Sequence, residues 1–385
     1  MRDPIAKSIK SIAPSGIRKF FDVVNDMPHA ISLGVGEPDF ETPWGVREAG
    51  IKSLENGKTF YTSNMGMPSL RKEISNYVER KYGPSYDPED EILVTVGGSE
   101  AIDLALRCLT DPGDEVLIPQ PSYVSYLPCT VMAGGNPVII ELKEENEFRL
   151  TPEELKAAVT PASKVLVLPF PNNPTGAVMT KEDLEKLLPV IIENDLIVLS
   201  DEIYAELTYG GKHVSIASLP GMRERTILIN GFSKAFAMTG WRLGYACGPE
   251  NIISQMIKLH QYAIMCAPTV SQYAACEALK NADDDVEKMV RAYDQRRRFL
   301  LSEFKSMGID CFTPLGAFYV FPSIKKFGMT SEEFATKLLV EQELAVVPGT
   351  AFGDCGEGFL RISYAYSIED LKVGMDRIRA FISAL

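Results

Sequence analysis

Lys234 lies in the stretch "NGFSKAFAMTGWRLGYACG", residues 230–248, beside Ser233 and a short way before Arg242. An amine of this kind can exchange a proton, pair with an anion or add to an aldehyde. Taken alone, it reads equally well as a solubilising surface lysine. Three other places carry comparable side chains. Asp201, Glu202 and Tyr204 follow the apolar run "LIVLS". "PNNPTG", residues 171–176, follows "KVLVLPF", and its plain reading is a turn. Gly97, Gly98, Ser99 and Glu100 follow "EILVTV" and open a helix. Glycines let a backbone approach an anion, and the first N–H groups of a helix attract phosphate, although a simple strand-to-helix turn uses the same residues. An acid at a buried strand end costs free energy unless it meets a cation or hydrogen-bond donors. Asp201 therefore needs a partner.

Composition narrows what this set can do. The chain has 385 residues, room for two or three domains at ~100–200 residues each. Its net charge of -13 argues against nucleic acid and against anionic membranes, both of which call for a basic surface. It leaves room for a small anion held by a few arginines. The 7 cysteines are odd in number and form no CxxC pair, which suits a reducing compartment. "MRDPIAKSIKSIAPSGIRKFF" lacks the apolar core of a signal peptide, and no apolar run reaches the ~18 residues of a membrane span. The expectation is a cytoplasmic protein. The 3 histidines, His29, His213 and His260, have no second histidine or cysteine at ligand spacing. That argues against a zinc site and against a Ser-His-Asp triad. The proton shuttle of any chemistry here falls to another residue, and Lys234 is the candidate.

The elements that must position these residues alternate. "EILVTV", "DEVLIPQ", "PVIIEL", "KVLVLPF", "LIVLSDE" and "RTILIN" predict short buried strands. "SEAIDLALRCL", "TPEELKAAV" and "TKEDLEKLLPVIIEND" predict helices, the last two capped by threonine with acids in the first turn. This pattern predicts an α/β fold with a largely parallel sheet covered on both faces. From about residue 280 the texture changes to a long charged helix, "DDDVEKMVRAYDQRRRFLLSEFKSMG", then "FTPLGAFYVFPS", "LAVVPGTAFG" and "GFLRISYAYS" as strands, then a closing helix. The expected organisation is a large ligand-binding domain over 41–285 and a small α+β domain over 286–385. Residues 1–40 form an N-terminal arm and part of the small domain.

Open parallel sheets bind ligands at the carboxyl ends of their strands. All four candidate stretches sit there. Together they offer phosphate donors, a carboxylate, a tyrosine, an amide and an amine, which suits a phosphorylated aldehyde with a basic ring nitrogen. Pyridoxal phosphate is such a cofactor, and lysine holds it.

At this point the chain resembles the class I/II aminotransferases of pyridoxal-phosphate fold type I. "GFSKAFAMTGWRLGY" is the most specific match. "SLGVGEPDFETP", "YTSNMGMPSLR", "VTVGGSEAIDLAL", "PNNPTG", "LSDEIY" and "LRISYA" follow in the family's order, so the resemblance covers essentially the whole chain. It is nearest to the aromatic amino acid aminotransferases and their broad-specificity relatives. "GVGEPD" lacks the third glycine of a dinucleotide fingerprint, and there is no P-loop.

The resemblance implies a mostly parallel seven-stranded-type sheet and assigns roles. Lys234 would be the Schiff-base lysine and, once displaced, the acid/base that moves the proton. Asp201 would pair with the pyridine nitrogen. Asn173 and Tyr204 would bond the ring hydroxyl oxygen, and Tyr123 would stack on the ring. Gly98, Ser99, Ser233 and Arg242 would hold the phosphate. Tyr61 would reach the phosphate of a neighbouring subunit's cofactor, which implies a homodimer with shared sites. Arg361 would clamp the substrate α-carboxylate, with Gly36 and Asn173 beside it. Tyr123 and Tyr204 also read as ordinary half-buried tyrosines, and Ser99 as a helix cap.

The implied reaction moves an amino group from an L-amino acid, aromatic or of broad range, to 2-oxoglutarate in ping-pong fashion. Some aspartate- and prephenate-using relatives carry a lysine where this chain has Ser99, which weakens the case for a dicarboxylate donor. Phe20, Phe21 and Tyr319 could wall an aromatic side chain or simply pack. Alternatives are an aspartate/alanine or N-acetyl-diaminopimelate-type aminotransferase, a C–S lyase on the same fold, and a transcription regulator with an aminotransferase-like domain. The acidic charge opposes the last.

Overall fold

The computed structural model describes residues 2–14, 16, 27 and 29–385. Phe20 and Phe21 lie outside the described residues. The strands in chain order are β1 (Ile31–Ser32), β2 (Ile92–Thr95), β3 (Glu115–Gln120), β4 (Asn136–Glu141), β5 (Ser163–Leu168) and β6 (Ile197–Asp201). They continue as β7 (Thr226–Gly231), β8 (Gly244–Cys247), β9 (Tyr319–Val320), β10 (Leu344–Ala345), β11 (Val347–Pro348) and β12 (Leu360–Ser363).

Seven of these form one sheet in the order β2-β8-β7-β6-β5-β3-β4. The pairs β3–β4, β3–β5, β5–β6 and β6–β7 are parallel, and β8 runs antiparallel to both its neighbours. The parallel α/β sheet expected from the apolar runs is present. β8 was not among the strands read from those runs. It spans "GYAC", too short and too glycine-bounded to show a pattern.

Both faces of the sheet are buried because alternate residues of each strand feed opposite layers. Ile118, Val167, Leu199 and Ile229 pack with Ala101, Leu104 and Ala105 of helix Gly98–Leu109 and with Ile253 and Met256 of helix Glu250–Ala263. Leu117, Leu166, Leu168 and Val198 face the other way, onto Leu184, Leu187 and Ile191 of helix Lys181–Glu193. Helix starts are marked as the sequence suggests. Thr151 and Thr180 each accept the backbone N–H three residues on, in complete capping boxes, and Thr330 does the same for helix Ser331–Gln342.

Past residue 282 come helix Asp283–Ser306, the antiparallel sheet β11-β12-β9, and helix Ile368–Ser383. β1 pairs in parallel with β10, which ties the segment before the first long helix to this C-terminal part. One apolar cluster runs unbroken from Val94, Leu228 and Tyr245 in the large sheet to Leu338, Leu371 and Phe381. Among the described residues no helix is long and apolar enough to cross a membrane.

Candidate active site

A cavity of about 400 Å³ opens at the carboxyl ends of the parallel strands. Gly98 and Ser99 after β2, Tyr123 and Tyr126 after β3, Asn173 after β5, Asp201 at the end of β6, and Ser233 and Lys234 after β7 all line it. Arg242 enters from the turn before β8, Gly36 from the segment after β1, and Arg361 from β12. Of the described residues given a site role by the resemblance, Tyr61 lies off this cavity. It is 81% exposed, next to the equally exposed Phe60.

One end is built for an anion. Helix Gly98–Leu109 starts at Gly97 with no side-chain cap, so its first N–H groups have no partner within the helix. Gly97 adopts φ 79°, and a Cβ there would sit 2.8 Å from Arg242 Nη2. The arginine thus lies directly across the turn. Its own hydrogen bond is to the Thr239 carbonyl, at 2.9 Å, which leaves its charge open to a ligand. From below, Gly244 of β8 approaches so closely that a Cβ would meet the Gly98 nitrogen at 2.6 Å. Ser99 Oγ is 3.5 Å from the Tyr123 hydroxyl.

At the centre, Lys234 Nζ donates to the Gly36 carbonyl at 2.6 Å. Burial pulls its pKa from 10.5 down to about 8. Glu37 opposes that shift, and Arg361 and Arg242 add to it. Asp201 is 6% exposed. Its Oδ2 accepts the Tyr126 hydroxyl at 2.7 Å and its Oδ1 the Ile203 N–H at 3.2 Å. Burial raises its pKa against those two donors. The Tyr204 hydroxyl meets that of Tyr319 at 2.8 Å.

At the far end, Arg361 is 2% exposed and its guanidinium lies between the rings of Tyr319 and Phe352, 4.6 and 4.7 Å from their centroids. Nη1 donates to Asn173 Oδ1 at 2.9 Å and Nη2 to the Gly34 carbonyl. Neither partner is charged. Nε is buried with no partner. Burial pushes this guanidinium below its usual range. A buried cation with an orphaned donor calls for an anion.

Several lining residues escaped the sequence reading, among them Tyr126, Glu37, Thr239 and Ile203. Tyr126 sits in "PSYVSY", where Tyr123 alone was singled out, and no local signal tells the two apart. Glu37 donates nothing to a pattern but accepts from the Thr239 hydroxyl across the chain, so both were missed together. Ile203, next to Asp201, adds an apolar wall. Tyr319, read as wall or packing, is both: it lines the cavity, carries Arg361 on its face and is 1% exposed. The arrangement can bind a dianion at one end and a carboxylate at the other, with an amine of depressed pKa between them.

The chain is similar to known proteins over nearly its whole length. The family described as aminotransferase class I and II matches residues 28–378. The putative aminotransferase YugH of Bacillus subtilis (strain 168) is 50% identical over 99% of both chains. An aspartate aminotransferase of Pyrococcus abyssi is 48% identical over 95% of both. The crystal structure of an aromatic aminotransferase from Pyrococcus horikoshii superposes with a TM-score of 0.91 at 45% identity, covering 96% of this chain and 99% of that one. The chain belongs to the class I and II aminotransferases.

Proposed function

We propose that the protein is a pyridoxal-phosphate-dependent aminotransferase whose donors include the aromatic L-amino acids and whose acceptor is 2-oxoglutarate. The observation that carries this reading is Lys234, its pKa depressed, set between an open anion cradle and the buried, orphaned Arg361. The donor set fits the cofactor. The uncapped helix start, Ser99, Ser233 and Arg242 suit its phosphate, Asp201 its ring nitrogen, and the Tyr123 ring its face.

When bound, the cofactor supplies a sink for the electron pair left at the substrate Cα as its proton departs. The rest falls to this chain. Asp201, held by Tyr126 and Ile203, keeps a negative charge where the ring nitrogen carries its proton. Lys234 Nζ would take up the proton that leaves the substrate Cα and hold it for the transfer that follows. With a pKa of about 8, roughly a tenth of it is already the free amine at pH 7, and each form is within easy reach. Arg361 binds the α-carboxylate in both halves of the ping-pong cycle, its plane fixed by the two rings. Asn173 holds Arg361 through Oδ1, which frees its amide nitrogen for the cofactor's ring oxygen.

Aromatic donors are favoured by the tyrosines that line the cavity, by Ser99 in place of a cation, and by the aromatic aminotransferase among the similar structures. Aspartate is the second reading, because the Pyrococcus abyssi relative carries that name. A homodimer with shared sites is supported by exposed apolar side chains: Phe60 beside Tyr61, and Met265, whose carbonyl accepts the side-chain amide of Asn64 in the same stretch as Tyr61. All 7 cysteines are unpaired, in keeping with the cytoplasm.

The test is the near-UV and visible spectrum of the protein loaded with pyridoxal phosphate, before and after adding phenylalanine. Loss of the lysine-linked band with growth of the pyridoxamine phosphate band is expected. A band that phenylalanine leaves untouched and aspartate consumes would replace the first reading with the second.

A further inference from the structure

His260 is fully buried, on the face of helix Glu250–Ala263 that packs against helix Gly98–Leu109. Its Nδ1–H donates to Glu100 Oε1 at 2.8 Å, and its Nε2 has no partner. Glu100 is the third residue of the cradle helix, and its Oε2 accepts the N–H of Val96, the residue before the Gly97 turn. In three other helices of this chain the acid in that position folds back onto its own helix start. Glu154, Asp183 and Glu333 each bond the backbone N–H of the capping threonine. Glu100 does not. It is drawn one residue further out and sideways to His260.

That displacement matters at an anion site. A loose carboxylate in the first turn would compete with a phosphate for the helix N–H groups and repel its charge. We infer that His260 is a positioning residue for cofactor binding: it tethers the Glu100 carboxylate away from the helix start and so keeps the phosphate cradle open. The inference rests on the cavity being a pyridoxal phosphate site. Val96 and His260 hold one carboxylate oxygen each, so loss of the histidine frees half of the tether.

The test measures binding of cofactor-free protein to pyridoxal phosphate, to pyridoxal and to inorganic phosphate. His260→Phe keeps a ring in the buried space and removes the donor. Affinity for pyridoxal phosphate and for inorganic phosphate should fall about tenfold, with pyridoxal unchanged within about twofold. His260→Asn, whose amide N–H can stand in for Nδ1–H, should stay close to the parent. Adding Glu100→Gln to His260→Phe removes the charge and should restore phosphate binding. A pair that merely stabilises the fold would weaken both aldehydes alike and would not be rescued by that second change; either result overturns the inference. Should His260→Phe not fold, Glu100→Asp decides. It keeps the charge but is too short to reach His260, and unchanged phosphate binding there would sink the idea. If the parent protein binds neither aldehyde, the cofactor reading fails instead, and the inorganic phosphate arm still reports on the cradle.

Discussion

Helices Lys181–Glu193 and Gly98–Leu109 are of similar length, and they begin in opposite ways. The first is closed by Thr180 and Asp183, which satisfy each other's backbone N–H groups. The second starts at a glycine with no cap, and its acid is led away. A closed start adds about 1 kcal/mol of stability and does nothing else. An open start forgoes that and keeps N–H groups free for a ligand. Helices Trp44–Glu55 and Pro68–Tyr82 also lack a side-chain cap; what sets Gly98–Leu109 apart from Lys181–Glu193 is that its open start lines the cavity.

The sharpest division is at Lys234. Lys234→Ala should lower turnover by more than about 10⁴-fold while pyridoxal phosphate still binds through the cradle. Single-turnover kinetics and equilibrium dialysis check the two halves, and loss of both would mean that the lysine, not the open helix start, holds the cofactor. The depressed pKa sets the next effect. Only the free amine adds to an aldehyde, and below about pH 8 its fraction falls tenfold per unit. The rate at which cofactor-free protein captures pyridoxal phosphate should therefore rise about 50-fold from pH 6 to pH 8 and level off after about a further twofold. A flat profile would refute the assigned pKa.

Gly97→Ala then attacks the open start itself. The new methyl group meets Arg242 Nη2 and strains a φ of 79°. Phosphate-dependent affinity should drop about tenfold, read by titration, with little loss for pyridoxal. Thr180→Ala is the smallest change and the control: about 1 kcal/mol lost in a urea titration, with kcat/KM unaltered. If Thr180→Ala harmed catalysis, the two kinds of helix start would not be separable in the way described.

The strand ends were legible because apolar runs stop abruptly and polar residues follow. Lys234, Asp201, Asn173 and the Gly97 turn could be gathered at one sheet edge before any coordinates. Their partners could not. Tyr126 and Asp201 are 75 residues apart, Lys234 and Gly36 are 198, and Arg361 and Asn173 are 188. Contacts over such spans leave no periodicity behind. Glu100 shows the limit most clearly. From "GGSEA" it reads as a first-turn acid, and only the packing of a helix that begins 150 residues later turns it aside. β8 was hidden for a different reason, because four residues beginning with glycine carry too little pattern to read.

Gly97 and Gly244 meet where even one methyl group would not fit. The anion end of the cavity thus rests on main chain packed too closely for a side chain at either position, with Ser99, Ser233 and Arg242 set around it. The opposite end is made of side chains: Arg361, Tyr319, Phe352 and Asn173. Random change is tolerated unequally by the two. A lineage built on this scaffold can change the side chains of the opposite end while the close-packed main chain of the anion end stays put.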